Sequence, residues 1–247
     1  MRRPRIHVDQ PLQDDQQLTL EGAPAHHLGR VLRVTPGQPL VLFNGDGRDY
    51  PARVTEAGKS RLTVRLGQGA VVATESPLAV TLAQVISRGD RMDYVIQKSV
   101  EMGVSAIQPL TSERCEVKLD ARREDKRLRH WQQVAVSAAE QCGRARVPEI
   151  APLCALDQWL TEAPDGLRLV LHHRSQCSLG EMPPPAAVTL LIGPEGGLSE
   201  AEITAAMQSG FHACTLGPRV MRTETAPVTA LSVMQWLWGD LQKGGIR

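Results

Sequence analysis

The stretch LIGPEGGLSEAE at residues 191–202 decides how the chain is read. A nearly all-apolar run over 188–192 ends in a glycine-rich turn. A helix is expected to begin at Ser199, where Glu202 three residues on completes a capping-box pattern. Such a run suits a parallel strand covered by helices on both faces, and in open α/β sheets ligands bind just beyond the carboxyl ends of the strands. Gly193, Gly196 and Gly197 let the backbone approach a ligand closely. Phosphate is the first candidate for a turn of this kind. However, neither G-x-x-x-x-G-K-[ST] nor G-x-G-x-x-G is present, and Glu195 stands in the middle of the turn. A carboxylate about 4 Å from a phosphate costs roughly 4 kcal/mol per unit charge at an effective dielectric of about 20. A neutral or cationic ligand suits the loop better, and a nucleotide-binding enzyme is the alternative.

Working outward, LGPRVMRTETA at 216–226 again follows a strand candidate, 214–216, and crowds Arg219, Arg222, Thr223, Glu224 and Thr225 at what should be the same sheet edge. An ordinary ion-pair network is the competing reading of these groups. The next helix, from about 227 to about 241, is apolar nearly all round and must be buried on more than one side, which admits a second subunit against it. Upstream, 78–86, 106–110 and 167–171 read as further strands. One intervening helix is expected to be capped by Asp90, with Met92, Val95, Ile96, Ser99 and Met102 on one face, stopping at Gly103. Another carries Leu128, Trp131, Ala135, Ala138 and Cys142 at helical spacing and ends at Gly143. Strands alternating with helices over 74–247 indicate an α/β domain with a parallel sheet. Residues 1–73 differ, with short strands at 6–8, 39–43, 50–54 and 61–66, tight turns at Asn44–Gly47 and Gly58–Ser60, and one helix over 26–34. Several short strands with tight turns suggest a small β-barrel.

Composition narrows the function classes. The net charge is only +1, so no global field draws the chain to RNA, but local clusters are basic: Arg2, Arg3 and Arg5, then Arg122, Arg123, Lys126, Arg127 and Arg129, then Arg144 and Arg146. Each is either a solvated face or a set of phosphate contacts. Aromatic residues make up 3%, which excludes a base-stacking platform of several rings. Five cysteines without a C-x-x-C spacing argue against a disulfide framework and a zinc site, and no metal is expected. The opening MRRPRIHVDQPLQDD lacks the apolar core of a signal peptide, and no run approaches the roughly 20 apolar residues of a membrane span. A cytoplasmic location is expected.

Together the segments GPEGGLSEAE and LGPRVMRTETA resemble the cofactor loops of the SPOUT methyltransferases. More narrowly, they are similar to the family that methylates N3 of a uridine in the decoding region of bacterial 16S rRNA. QKSVEMGVSAIQPLTSERCEVKL at 97–119 and RHWQQVAVSAAEQCGRARVPEI at 129–150 extend the likeness over most of 78–241. The resemblance implies a C-terminal trefoil knot, a homodimer, a PUA-like RNA-binding β-barrel at 1–73, S-adenosyl-L-methionine as cofactor, and the small ribosomal subunit as partner. It implies cofactor contacts from Leu171 and His172, from Ile192, Gly193, Pro194, Glu195 and Gly196, and from Leu216, Gly217, Arg219, Met221, Arg222, Thr225 and Ala226. His172 departs from the apolar residue expected beside the cofactor. Glu224 is the expected base or orienter and Arg222 the anion stabiliser, with Glu195 as the competing base. The alternatives are methylation of another RNA position, such as a ribose 2′-hydroxyl, and a non-catalytic ribosome-assembly protein.

Overall fold

The computed structural model describes residues 3–58, 60–175 and 177–242. Arg2, one of the expected phosphate contacts, lies outside the described residues. The chain divides into two compact units: one holds the chain up to Glu75 together with Ala139–Val147, the other Ser76–Ala138 together with the chain from Pro148 on.

The first unit contains β1 (Arg5–His7), β2 (Gln17–Glu21), α1 (Gly22–His26), β3 (Pro39–Phe43), β4 (Arg48–Ala57), β5 (Arg61–Leu66) and β6 (Ala70–Val71). Its hydrogen-bonded path runs β1-β3-β4-β5-β2, with β6 on β4, and among the described residues it does not close from β2 back to β1. Alternation builds the core: Leu40 and Leu42, then Tyr50, Ala52 and Val54, then Leu62, Val64 and Leu66 share one buried cluster. A register shift between Val54 and Glu56 lets the ten-residue β4 bend while it serves two neighbours. The single helix expected over 26–34 is broken instead. α1 ends at His26, a π-helical turn follows over His27–Val31, and Arg33 adopts a φ of 52°. β2 is not foreseen by the sequence reading; its QLTLE alternation buries Leu18 and Leu20.

The second unit contains β7 (Ala79–Val85), α2 (Arg91–Glu101), β8 (Ala106–Thr111), most of α3 (Ala121–Cys142), β9 (Glu149–Ile150), β10 (Cys154–Ala155), α4 (Leu156–Trp159), β11 (Leu167–Leu171), β12 (Ala187–Ile192), α5 (Glu200–Gln208), β13 (His212–Cys214) and α6 (Thr225–Leu237). The strand order is β10-β8-β7-β12-β11-β13, with β9 beside β8, and these pairings are all parallel. On one face Ala83, Val85, Leu110, Val170 and Leu191 pack with Trp159, Ile203 and Phe211. The alternate residues Val80, Leu82, Leu169 and Leu190 are equally buried, as a sheet covered on both sides requires. Each such leucine contributes about 1.5–3 kcal/mol by leaving water. α2 packs against α6, and Met92, Val95 and Ile96 are buried on the first helix, Ala230, Leu231 and Met234 on the second.

Two local expectations differ in outcome. The capping box is realised: Ser199 Oγ accepts from the Glu202 N–H at 3.3 Å, and Glu202 Oε2 accepts from the Ser199 N–H at 2.8 Å. Asp90 precedes α2 but makes no side-chain cap bond, because its φ and ψ of −89° and 6° are not the extended values that aim a capping oxygen inward. The final helix begins at Thr225 rather than near 227 and ends at Leu237 rather than 241. Since the strands run the same way, the chain leaves β7, β8, β11, β12 and β13 at a single edge, where the site is found.

Candidate active site

A cleft of about 520 Å³ opens at that edge. It is walled by the turn after β12, by the segment after β13, by His172 and His173 after β11, and by Arg91 at the start of α2. The two segments singled out from the sequence therefore converge. Of the residues expected to touch cofactor, Leu171, His172, Ile192, Gly193, Pro194, Glu195, Gly196, Leu216, Arg219, Met221, Arg222 and Ala226 line the cleft, whereas Gly217 and Thr225 do not. Both residues expected to do chemistry, Glu224 and Arg222, line it too.

The first loop is compact because its glycines permit it. A β-carbon on Gly193 would lie 3.0 Å from the Leu198 nitrogen and 3.1 Å from Leu198 Cγ, and Gly197 turns at a φ of 67°. A buried relay fastens the second loop to the first: Gln84 Nε2 donates to Thr223 Oγ1 at 3.1 Å, and Thr223 Oγ1 donates to the Gly193 carbonyl at 2.8 Å. Gln84 sits in β7 opposite Ile192, so the relay runs directly beneath the strand end that carries the glycine turn.

Charge is distributed unevenly around the cleft. Glu195 Oε1 accepts from the Arg88 N–H at 3.1 Å and from Arg91 Nη1 at 2.6 Å. Burial pushes the Glu195 carboxyl up, but its own backbone N–H, that of Arg88 and the Arg91 guanidinium outweigh this and hold it below the ordinary glutamate value. Glu224 has a looser tie, 3.7 Å from Arg91 Nε. The guanidinium groups of Arg219 and Arg222 make no ion pair or hydrogen bond among the described residues, and both side chains are exposed. His172 is held below its usual value by burial and by its neighbour His173, so its ring stays neutral at neutral pH. Burial, with Cys177 nearby, pushes the Cys214 thiol up to about 12, which makes it an inert wall.

The basic clusters are split. Arg122, Arg123, Lys126 and Arg127 are exposed on the first turns of α3, in the second unit. In the first unit Arg3 and Arg146 are exposed, but Arg5 pairs with Asp49, and the buried Arg144 places Nη2 2.6 Å from Glu75 Oε2. These last two arginines are engaged inside their own unit.

Sequence reasoning gave no role to Arg91, Arg88 or Gln84, although all three serve the cleft. The available signal was the charged turn RGDR at 88–91, which follows a strand at the same sheet edge. Gln84 offered a fainter one, a lone amide inside an otherwise apolar strand.

Comparison with known proteins adds the following. A profile of the RNA methyltransferase domain matches residues 74–235, and a profile of the RNA methyltransferase PUA domain matches residues 20–67. The ribosomal RNA small subunit methyltransferase E of Buchnera aphidicola subsp. Schizaphis graminum is 34% identical over 242 residues, covering 97% of this chain and 98% of its own. Among solved structures, the ribosomal RNA small subunit methyltransferase E of Neisseria gonorrhoeae, bound to S-adenosyl methionine, superimposes with a TM-score of 0.91 at 42% identity, over 97% of this chain and 100% of that one. A Legionella pneumophila protein in complex with SAM gives a TM-score of 0.95 at 43% identity, over 98% and 100% of the two chains.

Proposed function

This chain belongs to the ribosomal RNA small subunit methyltransferase E family, S-adenosylmethionine-dependent enzymes acting on 16S rRNA, and from that premise we propose that it methylates N3 of a uridine in the decoding region of the assembled small subunit. The observation that carries the reading is the convergence of two strand-ending loops, one lined with glycine and one with arginine and glutamate, on one cleft.

The cleft's residues fit the cofactor. Gly193 and Gly196 keep the first loop tight, since a β-carbon there would meet Leu198 or Arg114, and Leu171, Ile192, Leu216 and Met221 give apolar walls for an adenine. Glu195, held ionised, suits a sulfonium and opposes a phosphate. When bound, S-adenosylmethionine supplies an activated methyl group. The chain's own part is to deprotonate and hold the base. The N3 proton of uracil is retained well above neutral pH, so Glu224, or a water it orients, takes it. The guanidinium of Arg222, which makes no ion pair among the described residues, stabilises the uracil anion that forms, with Arg219 lining the same cleft. Further rate comes from holding the base in line, which the fastened loops provide.

Other parts of the reading extend this. A knotted C-terminus is supported by the tie of Thr223 in the second loop to the Gly193 carbonyl of the first, just ahead of α6, which packs on α2. A homodimer is supported by Trp236 and Leu237, which leave 57% and 37% of their surface exposed on an otherwise apolar helix. Arg3, Arg122, Arg123, Lys126, Arg127 and Arg146 are the phosphate contacts we favour, since these cations face solvent. The proposed substrate supports a cytoplasmic location. No helix among the described residues is long and apolar enough to cross a membrane.

The deciding experiment incubates assembled small subunits with the protein and labelled S-adenosylmethionine, digests the RNA and identifies the nucleoside by mass spectrometry. Labelled 3-methyluridine is expected. A 2′-O-methyl nucleoside would move the chemistry to the ribose, and no label at all would remove catalysis.

A further inference from the structure

One cation in the cleft touches both candidate bases. Arg91 donates through Nη1 to Glu195 Oε1 at 2.6 Å, while its Nε lies 3.7 Å from Glu224 Oε2. The first is a charge-assisted hydrogen bond; the second is an electrostatic contact without one. Resting on the methyl-transfer reading above, we infer that Arg91 is a positioning residue that commits Glu195 to holding the first loop and leaves Glu224 as the carboxylate facing the uracil.

Three observations carry this. Glu195 Oε1 already receives the Arg88 N–H at 3.1 Å, so one oxygen carries two donors and serves as a strut between the β7–α2 turn and the glycine loop. Among the described residues Glu224 accepts no such bond, and its carboxylate lies 3.7 Å from Arg91 Nε. Both ends of the clamp are also anchored. Arg91 is the first residue of α2 and Glu224 immediately precedes α6, and these two helices pack together. The backbone positions that carry Arg91 and Glu224 are thus held by the helix pair. The arginine fork presents Nη1 to one carboxylate and Nε to the other, and a lysine in its place would keep the positive charge that serves Glu195.

Removing the shared cation takes away one of the pulls that hold the Glu195 carboxyl below its ordinary value. The other ionisable or charged groups around the pair are Arg88 beside Glu195, Arg114 on the Gly196 carbonyl at 3.1 Å, His172 and His173 after β11, and Arg219 and Arg222 in the second loop. None of them bridges Glu195 to Glu224 among the described residues.

The test compares Arg91→Met and Arg91→Lys in the full-length protein. In the cofactor-free state, side-chain carbon NMR should show Glu195 titrating about one pH unit higher in Arg91→Met than in wild type, and close to wild type in Arg91→Lys. With assembled subunits, Arg91→Met should lower kcat by about 10- to 100-fold with KM within about threefold. Arg91→Lys should recover most of kcat. An unmoved Glu195 titration in Arg91→Met, or equal losses of kcat in the two variants, would overturn the assignment. Wild-type protein that labels no subunit would instead sink the methyl-transfer reading, while the NMR comparison would still judge the clamp.

Discussion

The two units of the molecule spend their charges differently. In the first, the mostly antiparallel one, Arg5 pairs with Asp49, Arg144 with Glu75, and the Glu140 carboxylate accepts the His7 N–H at 2.9 Å. These groups sit within the unit and answer one another. In the second, the parallel sheet is apolar throughout its buried strands apart from a few groups such as Gln84 and Thr189, and charge gathers at the carboxyl edge. There, among the described residues, two arginines make no ion pair and two glutamates share one cation. An antiparallel sheet sends successive strand ends to opposite edges, whereas a parallel one collects them at one edge. Strand direction alone therefore decides whether polar loop residues are dispersed or brought together in a cleft.

That contrast predicts that substitutions at the edge change turnover and substitutions in the first unit change stability. The largest effect is expected for Glu224→Gln. Turnover should fall by about 10²–10⁴-fold, the usual span for losing a general base, while S-adenosylmethionine binding measured by calorimetry stays near wild type. Wild-type turnover would clear Glu224 and erase the contrast. Next, Asp49→Asn removes the counter-charge of the largely buried Arg5 and should cost about 3 kcal/mol in urea unfolding, with cofactor affinity unchanged. A loss of cofactor binding without a loss of stability would reverse the roles given to the two units.

The smallest effect concerns Glu140. Burial pushes its carboxyl above the ordinary value, against the pull of the His7 N–H and the nearby His27, His7 and Arg5. The folded state thus holds the Glu140 proton more tightly than the unfolded chain does. Its contribution to stability is present below the unfolded value of 4.5 and is lost as pH rises through the raised folded value. Glu140→Gln keeps the acceptor and removes the charge, so it should gain on wild type, by under about 1 kcal/mol, between pH 5 and pH 8. Urea midpoints at the two pH values check this, and an equal difference at both would refute it.

What could be read from the sequence was local. The Ser199 cap, the glycine turn and the apolar strands each depend on residues within a few positions, and those elements lie where expected. Asp90 shows the limit: the residue type suits a cap, but backbone angles decide, and they are fixed by how the β7–α2 turn meets the Glu195 loop. The break between α1 and the π-helical turn fails for the same reason, since Leu28 and Val34 are both drawn into the first unit's core. Arg91 stayed hidden because its partners lie 104 and 133 positions away, so only strand order reveals them. The family likeness supplied the cofactor, which no pattern of spacing could have done.

The Gln84–Thr223–Gly193 relay has one more consequence. It joins residues 139 positions apart, and the far wall of the cleft is built from chain laid down after β13. A molecule whose last segment has not yet docked has a sheet but only half a pocket. The capacity to hold a ligand thus arrives with the final step of assembly, and any ligand that spans both walls will in turn resist the detachment of that segment.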